Sequence, residues 1–248
     1  MRVKILVSID DTDDIDSRGT GELASMLGEL LEEKQWGKAH AITRHQLLVH
    51  PDIPYTSHNS CMCFAAEINA DFFDRYIECA WDFLQRESAP GSDPGLCVVD
   101  IEHLQKPEEL ISFGYRAKDY ILSKEDAYIL AERLNIHLSE HGGTGEGVIG
   151  ALAGAGLRMT GNDGRFRGKM KIKNAGDLIS VGDIKTLSKI ETVKSLDGQL
   201  ILNDTELIRL GEKVKAVMLD GKCTLLVFPT EINYTEWQTC TTQQLKVF

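Results

Sequence analysis

Residues 2 to 9 form a short apolar run that predicts a buried strand. Leu23, Met26, Leu27, Leu30 and Leu31 then recur at three- and four-residue spacing, which predicts an amphipathic helix. The polar stretch between them is therefore a strand-to-helix loop. "AHAITRHQLLVH" and "CMCFAAEI" read as extended segments, separated by "PDIPYTSHNS", whose prolines and polar residues mark an irregular loop. "DFFDRYIECAWDFLQRE" has the spacing of a helix, "APGSDPG" ends it with turn chemistry, and "LCVVDI" is a strand. A helical stretch around Lys124 to Glu140 leads into "HGGTGEGVIGALAGAGL", a glycine-rich turn opening a helix of small residues. From about Lys171 the pattern shifts to short alternating strands, with Asp-Gly turns in "SLDGQL" and "LDGKCTLLVF". A domain change is expected there.

Composition narrows the class. The 248 residues suffice for one large domain or two small ones, and 42% hydrophobic with 26% charged residues is the balance of an ordinary soluble chain. No apolar stretch approaches the roughly 20 residues of a membrane span, and the N-terminal run is too short for a signal-peptide core, so a cytoplasmic protein without membrane contact is expected. The six cysteines form no C-x-x-C pair, which argues against a zinc ribbon or a disulfide framework. The net charge of −11 argues against a large phosphate-binding surface. Locally, "GRFRGKMKIK" from Gly164 to Lys173 is basic.

The strand-to-helix loop carries five aspartates in the seven positions from Asp10 to Asp16. Like charges so close repel unless a cation, hydrogen bonds or water relieve them. Asp10, Asp11 and Asp13, at the end of a first strand, suit Mg²⁺, which takes one or two carboxylates together with substrate phosphates. The same run also fits a solvated turn. An EF-hand fails on register, because Arg18 and Ser25 fall where ligands belong. Thr20, between Gly19 and Gly21, is either a helix cap or a hydroxyl exposed at a positive helix end. Gly145, Gly147 and Gly150 have G-x-G-x-x-G spacing, but a helix is expected before them rather than the strand a dinucleotide fold needs. The backbone donors from Gly143 to Gly147 could hold an anion, or the glycines could serve close helix packing. His141 beside them is a candidate for phosphate contact or proton transfer. Arg18, Arg44 and His58 are candidate charge neutralisers.

Taken in order, "SIDDTD" with "RGTGELA", "HPDIPYTSHNS", "SDPGLCVVD" and "GTGEGVIGALAGAG" resemble the N-terminal half of the archaeal isoleucine-tRNA agmatidine synthetases, over roughly residues 1 to 160. The resemblance implies an α+β fold in which a kinase-like domain (1–45 with 138–170) packs with a ferredoxin-like domain (46–137), followed by a β-rich region (171–248). It implies ATP and Mg²⁺ as cofactors, Asp10, Asp11 and Asp13 as the acidic metal segment, Thr20 as the threonine that becomes phosphorylated, and Gly145, Gly147 and Gly150 as the glycine-rich turn. The family's K-T-R-G-N-G stretch reads Thr56 to Cys61 here, without its Lys and Arg, and His50 replaces an Asn. The zinc ribbon and oligonucleotide-binding domain find no counterpart in the sequence.

These features together point to an ATP- and Mg²⁺-dependent phosphoryl-transfer or ligase-type enzyme. Asp10 and Thr20 are its central residues, and Arg18, Gly19, Gly21, Arg44, His58, Gly143, Gly145, Gly147 and Gly150 surround the nucleotide. The expected partners are a nucleotide and an unidentified small acceptor, with room for a homo-oligomer. Two other readings stay open: a tRNA-modifying enzyme that works with a partner, tRNA not being favoured, and a nucleotide-binding module without turnover.

Overall fold

Alternation along the first strand sets the layering of the fold. In β1 (Arg2–Asp10), Val3, Ile5, Val7 and Ile9 face one apolar core while Leu6 faces another. Period-two side-chain alternation therefore commits Ser8 and Asp10 to the Leu6 side. The computed structural model describes residues 1–53, 59–168, 170, 172–230 and 236–248, and the chain divides into two units, Met1–Thr160 and Gly161–Phe248. Pro54 to His58, Lys169 and Lys171 lie outside the described residues.

In the first unit β1 is followed by α1 (Thr20–Glu33), β2 (Gly37–Ala39), β3 (Thr43–Gln46) and β4 (Ser60–Asn69). A single 3₁₀ turn (Ala70–Phe72) then precedes α2 (Phe73–Glu87), β5 (Gly95–Asp100), α3 (Pro107–Asp119), α4 (Lys124–Leu134), β6 (His137–Glu140) and α5 (Gly147–Met159). The strands lie in the order β6-β5-β1-β4, with β2 and β3 each paired to β4, and all these pairings are antiparallel. Leu23, Leu27 and Leu31 of α1 and Tyr76, Phe83 and Leu84 of α2 cover one sheet face. The other face is covered by α3, α4 and α5 through Leu110, Phe113, Leu130, Leu134 and Leu152. The result is a mixed α+β architecture with helices on both sides of an antiparallel sheet.

Two local readings are corrected. The helix expected to Glu140 stops at Leu134, because Asn135 takes a left-handed conformation (φ 54, ψ 47) that ends it. Beyond that stop, residues His137 to Glu140 pair with β5 as an edge strand. The glycine-rich stretch is thus preceded by a strand after all. That strand is antiparallel to β5, so the parallel βαβ context of a dinucleotide fold is still not met. Helix α3 opens with Pro107 in its first turn and Glu108 and Glu109 beside it, favourable N-terminal chemistry that the apolar spacing did not single out.

The small residues of α5 are spent on close packing. A Cβ at Gly154 would meet Ser8 Oγ at 2.5 Å and Cys61 Sγ at 2.6 Å, and one at Gly156 would meet the Leu110 carbonyl oxygen of α3 at 2.2 Å. At the helix start, Gly95 lies against Gly147, where an added Cβ would sit 2.2 Å from the Gly147 carbonyl oxygen. Helix and strand therefore touch backbone to backbone at the end of β1.

The second unit comprises β7 (Arg165–Phe166), β8 (Leu178–Ser180), α6 (Val181–Leu187), β9 (Thr192–Ser195), β10 (Leu207–Arg209), β11 (Ala216–Leu219), β12 (Lys222–Pro229) and β13 (Trp237–Thr239). Its strands run β7-β11-β12-β13-β10-β8, with β9 paired to β12, around a core that includes Ile184, Val193, Ile208, Leu225 and Val227. The Asp-Gly signal before β12 is a two-residue hairpin: Asp220 (φ 51) and Gly221 (φ 70) are both left-handed, and Leu219 pairs with Lys222. Among the described residues no helix is long and apolar enough to cross a membrane.

Gly95→Ala tests the backbone contact. The atoms it would strike belong to Gly147 and Val148 main chain and cannot rotate away. The expected loss of stability is about 1–3 kcal/mol, the usual cost of overpacking, read as an earlier urea midpoint. Gly91→Ser, in open space but at φ 86, serves as the comparison for backbone strain alone.

Candidate functional site

A cavity of about 500 Å³ opens at the C-terminal end of β1. Its acidic wall is Asp10, Asp11 and Asp13, and the start of α1 contributes Gly19, Thr20 and Gly21. Glu146 at the N-cap of helix α5 and Gly147 and Gly150 within it also line the cavity, and the β3–β4 side supplies Arg44 and Ser60. Tyr120, Ile121 and Leu122, just beyond α3, form an apolar wall. Eight of the sequence-predicted residues thus share one cavity with Asp10: Asp11, Asp13, Gly19, Thr20, Gly21, Arg44, Gly147 and Gly150.

Asp10 projects to the α5 side, where a Cβ on Gly150 would overlap its Oδ2 at 1.7 Å. Only glycine admits the carboxyl there. Burial, followed by repulsion from Asp11, pushes the Asp10 carboxyl up to about 8. Asp11 stands in the left-handed region (φ 50), which Asp tolerates better than most residues. Burial first, then Asp93 and Asp13, push it up to about 6. The crowding inferred from the sequence is real, and a backbone hydrogen bond from Asp11 to Asp10 offsets only part of it.

Asp13 is arranged differently. Thr20 Oγ1 donates to its Oδ1 at 2.6 Å, and Thr12 Oγ1 donates to Thr20 Oγ1 at 3.1 Å. Thr20 is nearly buried and is the first residue of α1. The N-cap is Gly19, which makes no side-chain capping bond. The cap reading of Thr20 is therefore not what its hydroxyl does: it points to Asp13.

The glycine stretch is braced from outside the cavity. Asp93 accepts from Thr144 N and, at 2.6 Å, from Thr144 Oγ1, while its carbonyl oxygen accepts from Gly147 N at 3.1 Å. Lys124 Nζ donates to the Thr144 carbonyl oxygen at 2.7 Å and to Glu140 at 2.9 Å. Gly143 (φ 56) and Gly145 (φ 77) are the left-handed residues this tight loop requires. They do not line the cavity, and the amides of Thr144 and Gly147 are already engaged.

Among the candidate cations, Arg44 lines the cavity and its Nε donates to Ser60 Oγ at 2.9 Å. Arg18 instead forms an ion pair with Glu87 at the end of α2 and reaches Met26 Sδ at 3.6 Å. His58 lies outside the described residues. His141 is buried; its Nε2 hydrogen-bonds Ser139 Oγ at 2.9 Å, and Trp81 packs against its ring. Burial, then His137, lower its imidazole to about 4. It lies just beyond the edge strand β6 rather than on the cavity wall.

Four residues emerged only from the structure. Thr12 bonds Thr20 within the same loop and Asp93 bonds Thr144, 51 residues on, while Asp52 and Glu146 add negative charge to the cavity. For Asp93 the signal was the Asp-Pro-Gly turn at 93–95; for Thr12 there was none beyond its place between two acidic pairs. Among the described residues no three His, Cys, Asp or Glu side chains are gathered closely enough to hold a metal alone. Mg²⁺ needs only one or two carboxylates beside phosphate and water. Asp10 and Asp11, whose repulsion the protein relieves only in part, fit that demand.

The fold of the first part of the chain is of a kind seen in solved structures of a tRNA agmatidine synthetase. The chain is similar to TiaS, a tRNA agmatidine synthetase: to its complex with tRNA and ATP at 25% identity and TM-score 0.53, covering 62% of this chain and 36% of that one, and to its apo form at 25% and 0.52, covering 62% and 35%. A tRNA fluorescent labelling enzyme is similar at 26% identity and TM-score 0.53, with 62% and 36% covered. The resemblance is partial and consistent with the N-terminal half of TiaS, since this chain spans about a third of the length of those chains. No family model and no curated protein matches the chain.

The Asp10 carboxyl gives a pH test. Between its ordinary value of 3.8 and about 8, the folded state keeps a proton that the unfolded chain has lost. Stability then falls as pH rises through that window and carries the full penalty above it. Asp11 acts in the same direction up to about 6. Asp10→Asn in chelator is expected to melt several degrees above the native chain near pH 8, with the gap closing near pH 5. A gap independent of pH overturns the assignment.

Proposed function

We propose that the chain is an ATP- and Mg²⁺-dependent enzyme of the phosphoryl-transfer or ligase type, with its site at the end of β1. The carrying observation is the Thr20 hydroxyl, held by Asp13 at the start of α1 on the wall of an acidic cavity. The likeness to a TiaS structure containing ATP supports the nucleotide. In this reading Asp10 and Asp11 hold Mg²⁺, which neutralises charge on the phosphates. Gly19 and Gly21 let the chain approach them, the first amides of α1 donate to phosphate oxygens, and Arg44 offsets remaining charge. Thr20 takes the γ-phosphoryl group. Asp13, assigned to the metal from sequence, is here the partner of Thr20 instead. The glycines at 143 and 145 shape the loop, and Gly147 and Gly150 give room for Asp10 and the nucleotide. The acceptor is a small molecule that no residue here identifies. In the same reading the kinase-like (1–45, 138–170), ferredoxin-like (46–137) and β-rich (171–248) parts are a proposal, with one antiparallel sheet shared by the first two; residues 161–170 fall in the second unit, where Arg165 pairs with Val217.

A second reading, modification of tRNA together with a partner, draws on the TiaS complex with tRNA. The chain's own charge supports it weakly: net charge is −11, and in the basic segment Arg165 is buried in β7.

Incubation with ATP and Mg²⁺ followed by intact-mass measurement tests the proposal. A phosphoryl adduct with matching ADP is expected for the native chain, absent in Thr20→Val and reduced at least about 100-fold in Asp10→Asn, as for removal of a charge-stabilising group. Tight ATP binding without turnover or adduct would favour a binding module. Salt-sensitive tRNA binding would favour the second reading.

A further inference from the structure

Thr12 is fully buried, and its hydroxyl bonds Thr20. Hydrogen counting fixes the direction of that bond. A carboxylate has no hydrogen to give, so Thr20 spends its only one on Asp13 at 2.6 Å. Thr20 must then accept from Thr12 at 3.1 Å. One of its two oxygen lone pairs is taken, leaving the other for a reacting atom. The carbonyl oxygen of Thr12 accepts from Ala89 N at 2.9 Å, so the donor itself is tied to the segment after α2 and does not swing with the aspartate loop.

From this geometry we infer that Thr12 is a positioning residue for phosphoryl transfer to Thr20 and that Asp13 is the catalytic base; the inference rests on the function proposed above. In the step, Thr20 Oγ bonds the γ-phosphorus, and the bond from that phosphorus to the β,γ-bridging oxygen breaks, its electron pair leaving on the nucleoside diphosphate. The Thr20 proton passes to the Asp13 carboxylate. Thr12 contributes no atom to the reaction. Its hydrogen bond keeps the Thr20 hydroxyl in the one rotamer that presents a free lone pair while its proton faces Asp13.

The test is the rate of adduct formation in the full chain with saturating ATP and Mg²⁺, compared among Thr12→Val, Thr12→Ser, Asp13→Asn and Thr12→Val with Asp13→Asn. Thr12→Val is expected to slow the step roughly 10- to 100-fold while the half-saturating ATP concentration changes less than about two-fold. Thr12→Ser, which restores the hydroxyl, is expected within about three-fold of the native rate, and the two losses should not multiply in the double variant. A native rate in Thr12→Val, a serine variant as slow as valine, or losses that multiply fully would each overturn the inference while leaving the proposed function standing. Thr12→Ala repeats the deletion with a smaller side chain, and if melting shows both deletions unfolded, Thr12 is a folding residue and the inference falls. A native chain that forms no adduct and no ADP removes the proposed function and this inference with it.

Discussion

The close approach of α5 to the end of β1 is the constraint on which the rest of the site depends. Gly95 and Gly147 touch backbone to backbone, Gly150 leaves room for the Asp10 carboxyl, and Gly154 leaves room for Ser8 and Cys61. A side chain at any of these positions would drive the helix away from the sheet. With the helix seated, its bulk strips water from Asp10 and raises the cost of ionising it. The same contact that closes the core therefore makes charge on Asp10 costly and favours a proton or a cation there.

That contact explains why the acidic loop has divided labour. Asp10 and Asp11 carry repulsion that the protein relieves only in part, and a cation or a proton must do the rest. Asp13 is instead satisfied by Thr20. Asp93 belongs to both sides of the arrangement: its carboxylate pins the glycine loop through Thr144, and its charge raises Asp11. Loop, helix start and strand end are thus coupled through a few short polar contacts, with apolar cores on both sheet faces holding the frame that makes them possible.

Much of this was legible along the chain because it is local. The apolar run before Asp10, the leucine stripe after Thr20 and the Asp-Gly pair at 220–221 each encode a backbone state within a few residues. At the end of α4 the apolar spacing changes from helical to the alternation of Leu134, Ile136 and Leu138, and the left-handed Asn135 separates helix from strand. Helix α3 escaped notice because its buried face, Leu110, Phe113, Gly114 and Ala117, includes a glycine chosen for contact with α5 rather than for apolarity.

By itself the sequence determined the strand, the acidic loop, the helix that follows and the need for charge relief at their junction, since backbone preference and charge crowding act between near neighbours. Which aspartate keeps its repulsion and which finds a hydroxyl, which arginine lines the cavity, and that Thr12 and Asp93 matter at all were decided by tertiary structure. Those outcomes depend on which side chains meet within hydrogen-bond distance, from Asp13 and Thr20 in one loop to Asp93 and Thr144, 51 residues apart. Such meetings arise from the packing of α2, α5 and the sheet, and no periodicity along the chain encodes them.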